Sequence, residues 1–351
     1  MAYILLTGAS GNLGAVILEQ LLSEGHNVNA IIRSFAKNKG AITKIHQKAV
    51  DSGRLSFTEI PDMAAPKAFH ESAKNASAII HAATPLSYDN FLEEIIKPVS
   101  IITNNVLDAS AASPTVKRLI ITGSIVSTLK LPDELYSGKT LSEKDWNPLT
   151  AEQGVENVFN AYAYSKTISE QEAWAYMEEK KPSFELIYLL APSITGKSTQ
   201  PGAKLSRQQL GGIGGFYRSL FDVETLGWQF PYYMDVEDVA AIHLKSLSPS
   251  VPGNLRYLFH SEGIMNENTV ADFVREKYPE LKSRVPAGAE KLVIPEGLVK
   301  TDISRANAAF GTGWKSWQDS VVEMVNDVIR FEREGLVDGG VPSVVLPRLD
   351  E

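Results

Sequence analysis

Cysteine is absent from all 351 residues. That excludes disulfides, thiolate metal sites and cysteine nucleophiles, and it fits a reducing compartment. No apolar run reaches the ~18 residues that a membrane-spanning helix requires. The opening "MAYILLTGAS" is apolar, but it has no basic leader and is too short for a secretion signal, so a cytoplasmic setting is expected. A basic excess is missing too. The formal net charge is -8 with no basic cluster, which argues against broad attraction to nucleic acid or to an anionic membrane. Internal repeats and long linkers are also lacking. What is present, 44% hydrophobic and 22% charged residues, sets aside disordered and fibrous classes. The length suits a large α/β domain with an appended lobe.

Short apolar runs at 3–7, 28–33, 55–60, 77–81, 118–122 and 184–190 read as strands. Between them "GAVILEQLLSEG", "FLEEIIKPVSIITNNVLDASAA" and "SKTISEQEAWAYMEEKK" carry apolar residues near helical spacing. Strands alternating with helices imply a doubly wound parallel sheet of the Rossmann type, covered on both faces. After Pro192 the chain becomes rich in Gly, Ser, Gln and Pro, then returns through a strand at 255–259 to helices of a smaller C-terminal lobe. The expected division is a nucleotide-binding domain at 1–193 and 232–260, with the substrate-binding lobe at 194–231 and 261–351.

"YILLTGASGNLGAVILEQLL" runs strand, glycine turn, helix. Gly8, Gly11 and Gly14 allow a tight turn, close backbone approach and close packing of helix on strand. The helix start then offers free N–H groups and a positive dipole end to a pyrophosphate. The second strand ends at Arg33, with Lys37 and Lys39 close behind, where an NAD site usually has an acidic residue for the ribose hydroxyl. A guanidinium can grip a 2'-phosphate that a carboxylate would repel, so the cofactor reading is NADP(H).

"NAYAYSK" sets Tyr162 and Tyr164 just ahead of Lys166. A helix advances about 100° per residue, so Tyr162 and Lys166 share a face within about 40°, while Tyr164 points some ~200° away. A nearby ammonium favours the phenolate, which makes Tyr162 a workable general acid for a carbonyl oxygen. Ser124 follows a strand in "RLIITGSIVS", so it should lie at the ligand-binding edge of the sheet and donate to the same oxygen. Ser127 and Thr128 read as turn residues.

The ordered set "TGASGNLG", "IIRSFAK", "PDM", "HAATP", "TGSIVS", "YAYSK", "LLAPSITG" and "MDVEDVAAIH" resembles the extended short-chain dehydrogenases/reductases. Within them it is similar to the dihydroflavonol-reductase-like branch, especially fungal NADPH-dependent carbonyl reductases. The resemblance implies a catalytic triad of Ser124, Tyr162 and Lys166, with Lys166 also holding the nicotinamide ribose. It implies that the turn from Gly8 through Gly11, Asn12 and Leu13 to Gly14 binds pyrophosphate, and that Arg33 and Lys37 bind the 2'-phosphate. Asp62 and Met63 would meet the adenine. Ala82, Ala83 and Thr84 would flank the cofactor midway, and Pro192 and Ser193 the nicotinamide carboxamide. Two departures stand out. Relatives commonly have two serines where this chain has Gly123 and Ser124, and the helix around "SIITNNVLDA" lacks their Gly-Thr pair, so Asn104 and Asn105 take no catalytic relay role.

His81 and His243 read as packed or hydrogen-bonded histidines, since the Tyr–Lys pair already supplies a proton. Asp235, Glu237 and Asp238 read as the acidic start of a helix, and no metal site is expected. Phe216, Phe221, Trp228 and Phe230 fall where relatives cover the substrate; each can be part of that cap or of the lobe's core. The glycines at 211, 212, 214 and 215 would let such a cover move. The expected activity is therefore reduction of an aldehyde or ketone by NADPH, in a monomer or homodimer. A sugar-nucleotide epimerase or hydroxysteroid dehydrogenase would use the same triad, and an NADP-sensing regulator would share the fold.

Overall fold

The computed structural model describes residues 2–209, 211–227, 230–288 and 296–338. Its seven-stranded sheet is parallel throughout, built from β1 (Tyr3–Thr7), β2 (Asn27–Ile32), β3 (Leu55–Glu59), β4 (Ala78–His81), β5 (Arg118–Ser124), β6 (Glu185–Ala191) and β7 (Leu255–Leu258). The spatial order is β7-β6-β5-β4-β1-β2-β3. The seven apolar runs of the sequence are these seven strands. They read as near-continuous hydrophobic runs because both faces are covered and the pleat sends neighbours to opposite cores. In β1, Ile4 and Leu6 enter one core and Leu5 the other.

The longer helices are α1 (Asn12–Ser23), α2 (Lys97–Ala112), α3 (Val158–Lys180), α4 (Gly212–Leu220), α5 (Val236–Lys245), α6 (Glu267–Lys277) and α7 (Trp317–Arg333). Helices α1 and α5 cover one face of the sheet, and α2 and α3 the other. Leu13, Val16, Ile17, Leu18, Leu21 and Leu22 of α1 are buried, which stabilises its docking by roughly 1.5–3 kcal/mol per side chain. Among the described residues no helix is long and apolar enough to cross a membrane.

Helix α3 starts earlier than the periodic stretch at 165–181, because Asn157 caps it: Asn160 donates its backbone N–H to Asn157 Oδ1 at 2.8 Å. It stops at Lys181, whose φ of 46° is left-handed. All of "NAYAYSK" is therefore helical. Strand order reverses between β1 and β4, so a crevice opens beyond the carboxyl ends of these strands.

Helices α4, α6 and α7 surround a separate core containing Phe216, Tyr217, Phe221, Val270, Val325 and Phe331. Ala306 and Phe310 belong to the core beneath α1 and α5, and the Phe310 ring lies 4.9 Å from that of Tyr257 in edge strand β7. The segment around them returns to the sheet because the exposed flank of an edge strand must be covered. Lys315 follows it, and its ammonium lies 3.1 Å from Asp235, 2.7 Å from Glu237 and 2.9 Å from Glu323. A cation of the chain itself thus sits among these carboxylates and ties the sheet domain to α7.

Candidate active site

The glycine turn packs as its spacing demands. Gly8 has φ +79°, and a Cβ there would meet the Ala82 carbonyl carbon and the Ala83 nitrogen at 2.9 Å. Gly11 donates its N–H to Gly8 O at 2.8 Å and caps α1 with no side-chain bond to the helix start. The helix N–H groups are left to a ligand. Asn12 adds a buried Oδ1 with no hydrogen-bond partner. An orphaned acceptor beside open backbone donors fits the diphosphate and ribose of a dinucleotide.

Around this turn the ends of β4, β5 and β6 form the floor of a cleft of about 590 Å³, a volume typical of cofactor and small-molecule sites. Asn12, Leu13, Ala82, Thr84, Pro192 and Ser193 line it together with Ser124, Tyr162 and Lys166. Ala83 lies just behind, donating its N–H to Thr7 Oγ1 at 3.2 Å. Arg33 and Lys37 are exposed just past β2, outside the cleft proper. Asp62, also exposed, accepts the Ala64 N–H at 2.8 Å, and Met63 offers its carbonyl to Asn105 Nδ2 at 3.0 Å. Asn105 also donates to Ala65 O at 2.9 Å, so its amide braces this loop.

Strand β5 runs two residues further than its apolar run, which puts Ser124 at the strand end opposite Ala191 of β6. Ser124 and Tyr162 line the same cleft, and the Ser124 hydroxyl is close enough to favour the Tyr162 phenolate. Lys166 is buried and donates to Thr84 Oγ1 at 2.8 Å and to the Thr122 carbonyl at 3.0 Å, with its ammonium 5.8 Å from the Tyr162 ring. Burial lowers Lys166 to about 8, against an upward pull from Glu170. Burial also raises the Tyr162 phenol above its usual value, against a downward pull from Ser124. The sequence argument counted the ammonium together with a cofactor's nicotinamide ring in favour of phenolate; among the protein's own groups burial is the larger influence. Tyr162 consequently keeps its proton at neutral pH, as a donor must. Tyr164 takes another course, packing its ring against Gly154, where a Cβ would lie 2.9 Å from it.

Both expected structural histidines are tied down. His81 Nδ1 lies 2.8 Å from Thr7 Oγ1, and His243 bridges Thr122 Oγ1 at 2.8 Å and the Val239 carbonyl at 2.7 Å. Burial lowers His81 to about 3 and His243 to about 4, so both are neutral.

Beyond Ser124, Tyr162 and Lys166, part of the wall is apolar, with Val126, Leu131, Phe159, Ile213, Phe216 and Phe230, while Gln200, Lys204, Gln209 and Arg218 bring polar groups to it. Phe159 stands one helical turn before Tyr162, a position that periodicity alone reveals only once α3 is known to start at Val158. Phe216 lines the cleft and also packs into the small-lobe core. Phe221 does not line the cleft: it is fully buried between the Phe216 and Tyr217 rings at 6.0 and 5.7 Å, in the small-lobe core. Trp228 lies outside the described residues. Gly212, Gly214 and Gly215 sit inside α4, and Gly214 admits Ser206 O, which a Cβ would meet at 2.4 Å, so close packing rather than a hinge accounts for it.

Sequence reasoning missed one cluster behind the triad. Glu170, wholly buried, pairs with Arg256 of β7 at 2.7 Å and accepts from Ser127 Oγ at 2.9 Å. Two signals were available: Glu170 follows Lys166 by four residues, and Arg256 is a lone charge in the apolar run "LRYLF".

Residues 4–254 match the model of the "NAD dependent epimerase/dehydratase family". The chain is 30% identical over 339 residues to aldehyde reductase 2 of Sporidiobolus salmonicolor, covering 92% of this chain and 94% of that one. It is 29% identical over 352 residues to a ketoreductase of Cercospora nicotianae, covering 93% and 95%. Among solved structures, the yeast methylglyoxal/isovaleraldehyde reductase complexed with NADPH superposes with a TM-score of 0.84 over 94% of this chain and 99% of that one, at 22% identity, a likeness of fold. With its seven-stranded parallel sheet and glycine turn, the chain belongs to the NAD dependent epimerase/dehydratase family, that of the extended short-chain dehydrogenases/reductases.

Proposed function

We propose that the protein reduces an aldehyde or ketone to an alcohol with NADPH as reductant. The observation that carries this reading is the meeting of the Ser124 hydroxyl, the Tyr162 phenol and the Lys166 ammonium in one cleft beside the glycine turn. The turn from Gly8 to Gly14 would hold the pyrophosphate, Arg33 and Lys37 the 2'-phosphate, and Asp62 with Met63 the adenine. Ala82, Ala83 and Thr84 would flank the middle of the cofactor, Pro192 and Ser193 its carboxamide, and Lys166 its ribose. When bound, NADPH supplies the hydride. Tyr162 gives its phenolic proton to the carbonyl oxygen, and Ser124 donates a hydrogen bond to that same oxygen as negative charge develops. Lys166 offsets the charge left on the phenolate. The apolar part of the wall, from Val126, Leu131, Phe159, Ile213 and Phe216, suits a carbonyl compound with a hydrophobic substituent. The names of the relatives, an aldehyde reductase and a ketoreductase, favour reduction over epimerisation.

The test is the absorbance loss of NADPH across a panel of aldehydes and ketones, with NADH in parallel. Turnover of at least one carbonyl with NADPH is expected; tight NADPH binding with no turnover of any would support a sensor instead. The same assay checks the phosphate grip. Arg33→Ala removes charge-assisted hydrogen bonds worth about 1.5–3 kcal/mol, so KM for NADPH should rise about ten- to hundredfold while KM for NADH hardly moves. Equal changes for the two cofactors would count against Arg33 as the 2'-phosphate ligand.

A further inference from the structure

One turn of α3 beyond Lys166, outside the cleft lining, sits a charge that proton transfer at Tyr162 leaves unexplained. Glu170 is 0% exposed. Its Oε1 accepts from Arg256 Nε at 2.7 Å and Trp174 Nε1 at 3.3 Å, and its Oε2 from Ser127 Oγ at 2.9 Å and Arg256 Nη2 at 3.3 Å. Ser127 Oγ also lies 2.9 Å from the carbonyl oxygen of Ser124. Arg256 is fixed in turn: Nη1 donates to the carbonyls of Glu143 at 2.7 Å and Asp145 at 2.9 Å, and its guanidinium stacks 3.7 Å from the Trp146 ring centroid. The cluster therefore joins the end of β5, helix α3, strand β7 and the 143–146 loop.

Stability is a weak account of such a pair. Desolvating two charges costs several kcal/mol per ion, and apolar packing of the same volume often serves as well or better. What apolar packing cannot do is fix direction. The Ser127 hydroxyl, its single proton shared between Glu170 Oε2 and the Ser124 carbonyl, links the strand end that carries Ser124 to the helix that carries Tyr162 and Lys166.

We propose that Glu170 is a positioning residue: through Ser127 it holds Ser124 in register with Tyr162, and it sets a carboxylate one turn from the Lys166 ammonium. The proposal rests on the Ser124–Tyr162–Lys166 reading above. Several groups face Lys166 from the surrounding elements. Tyr162 and Glu170 do so from α3, neutral His81 from β4, and Tyr188 from β6, whose phenol burial pushes far above its usual value; Thr84 Oγ1 and the Thr122 carbonyl accept hydrogen bonds from the Lys166 ammonium. Of these Glu170 is the carboxyl, and it opposes the burial that draws Lys166 down. Burial raises Glu170 itself, while Arg256, Ser127 and Trp174 pull it back.

The test uses the full chain with NADPH and a carbonyl substrate from the panel, comparing Ser127→Ala, Ser127→Thr, Glu170→Gln and Tyr162→Phe from neutral to alkaline pH. Ser127→Ala should lower kcat about ten- to hundredfold, the scale of a small misplacement of reacting groups, with KM for NADPH unchanged. Ser127→Thr keeps the hydroxyl and should recover most of kcat. Glu170→Gln should move the alkaline limb of the kcat profile to lower pH, since Lys166 then loses its proton sooner; a loss of structure alone would lower kcat without moving the limb. Wild-type kcat in Ser127→Ala, or an unmoved limb in folded Glu170→Gln, overturns the positioning role while Tyr162→Phe is inactive. An active Tyr162→Phe overturns the triad reading itself. Ser127→Ala leaves the ion pair intact, so it keeps the test decisive should Glu170→Gln fail to fold.

Discussion

Tyr162→Phe is expected to lower carbonyl reduction by about 10²–10⁴-fold, the usual worth of a positioned general acid. The substitution removes one oxygen and leaves the ring, so the apolar contacts that Tyr162 makes with the core beside α3 should persist. NADPH affinity and thermal stability should change little. Tyr164→Phe is the matched control. Its ring packs on Gly154, turned from the cleft, and reduction should be largely preserved. The two variants differ in which of two tyrosines, two residues apart, loses its hydroxyl, so kcat alone separates them. Activity lost with Tyr164→Phe and kept with Tyr162→Phe would sink the assignment. A pH profile adds an independent reading, because burial raises the Tyr162 phenol and lowers Lys166 to about 8. Reduction needs both protonated, so activity should be present at neutral pH and fall as the solution becomes alkaline.

The features that sequence revealed are those governed by local spacing. Seven buried strands show as apolar runs because a sheet covered on both faces has no polar alternation to hide them. Tyr162 and Lys166 could be paired, and Tyr164 set apart, because helical geometry connects residues four apart. Gly8, Gly11 and Gly14 carried their steric reasons with them. What stayed hidden depends on contacts remote in the chain. Glu170 reads as a surface carboxylate on a polar helix until Arg256, 86 residues away, is placed beside it. Phe216 and Phe221 look alike in sequence and their rings pack edge to face in the lobe core, yet of the two Phe216 alone also lines the cleft, a difference set by tertiary packing. Phe310 returns to edge strand β7 by a tertiary choice that no periodicity encodes. The direction of the Tyr162 shift was likewise beyond reach, because desolvation is a property of the assembled cleft.

Gly14→Ala should damage both stability and cofactor binding. A Cβ at Gly14 would fall 2.0 Å from Gly8 O, 2.5 Å from Gly8 C and 3.0 Å from Ala9 N. These are backbone atoms of the turn, so no side chain can swing aside. Either the turn opens or α1 backs away from β1, and α1 is held by its buried leucines and isoleucine. Overpacking of this kind costs about 1–3 kcal/mol or more, which should appear as a lower denaturant midpoint at constant slope. The same displacement pulls the open N–H groups of α1 off the pyrophosphate position, so the Kd for NADPH should rise by at least about tenfold. Gly11→Ala separates the two effects. Its Cβ would meet only Gly8 O, at 3.3 Å, a contact that a few tenths of an ångström relieves. Its stability should stay near that of the parent, while the methyl group stands in the path of a ligand approaching the turn. The expected order is therefore Gly14→Ala well below Gly11→Ala in unfolding midpoint, with both weakened in NADPH affinity. A Gly14→Ala protein with parental midpoint and parental NADPH affinity would mean that helix and strand do not meet at the separation that fixes this turn, and the cofactor cradle would have to be sought elsewhere in the cleft.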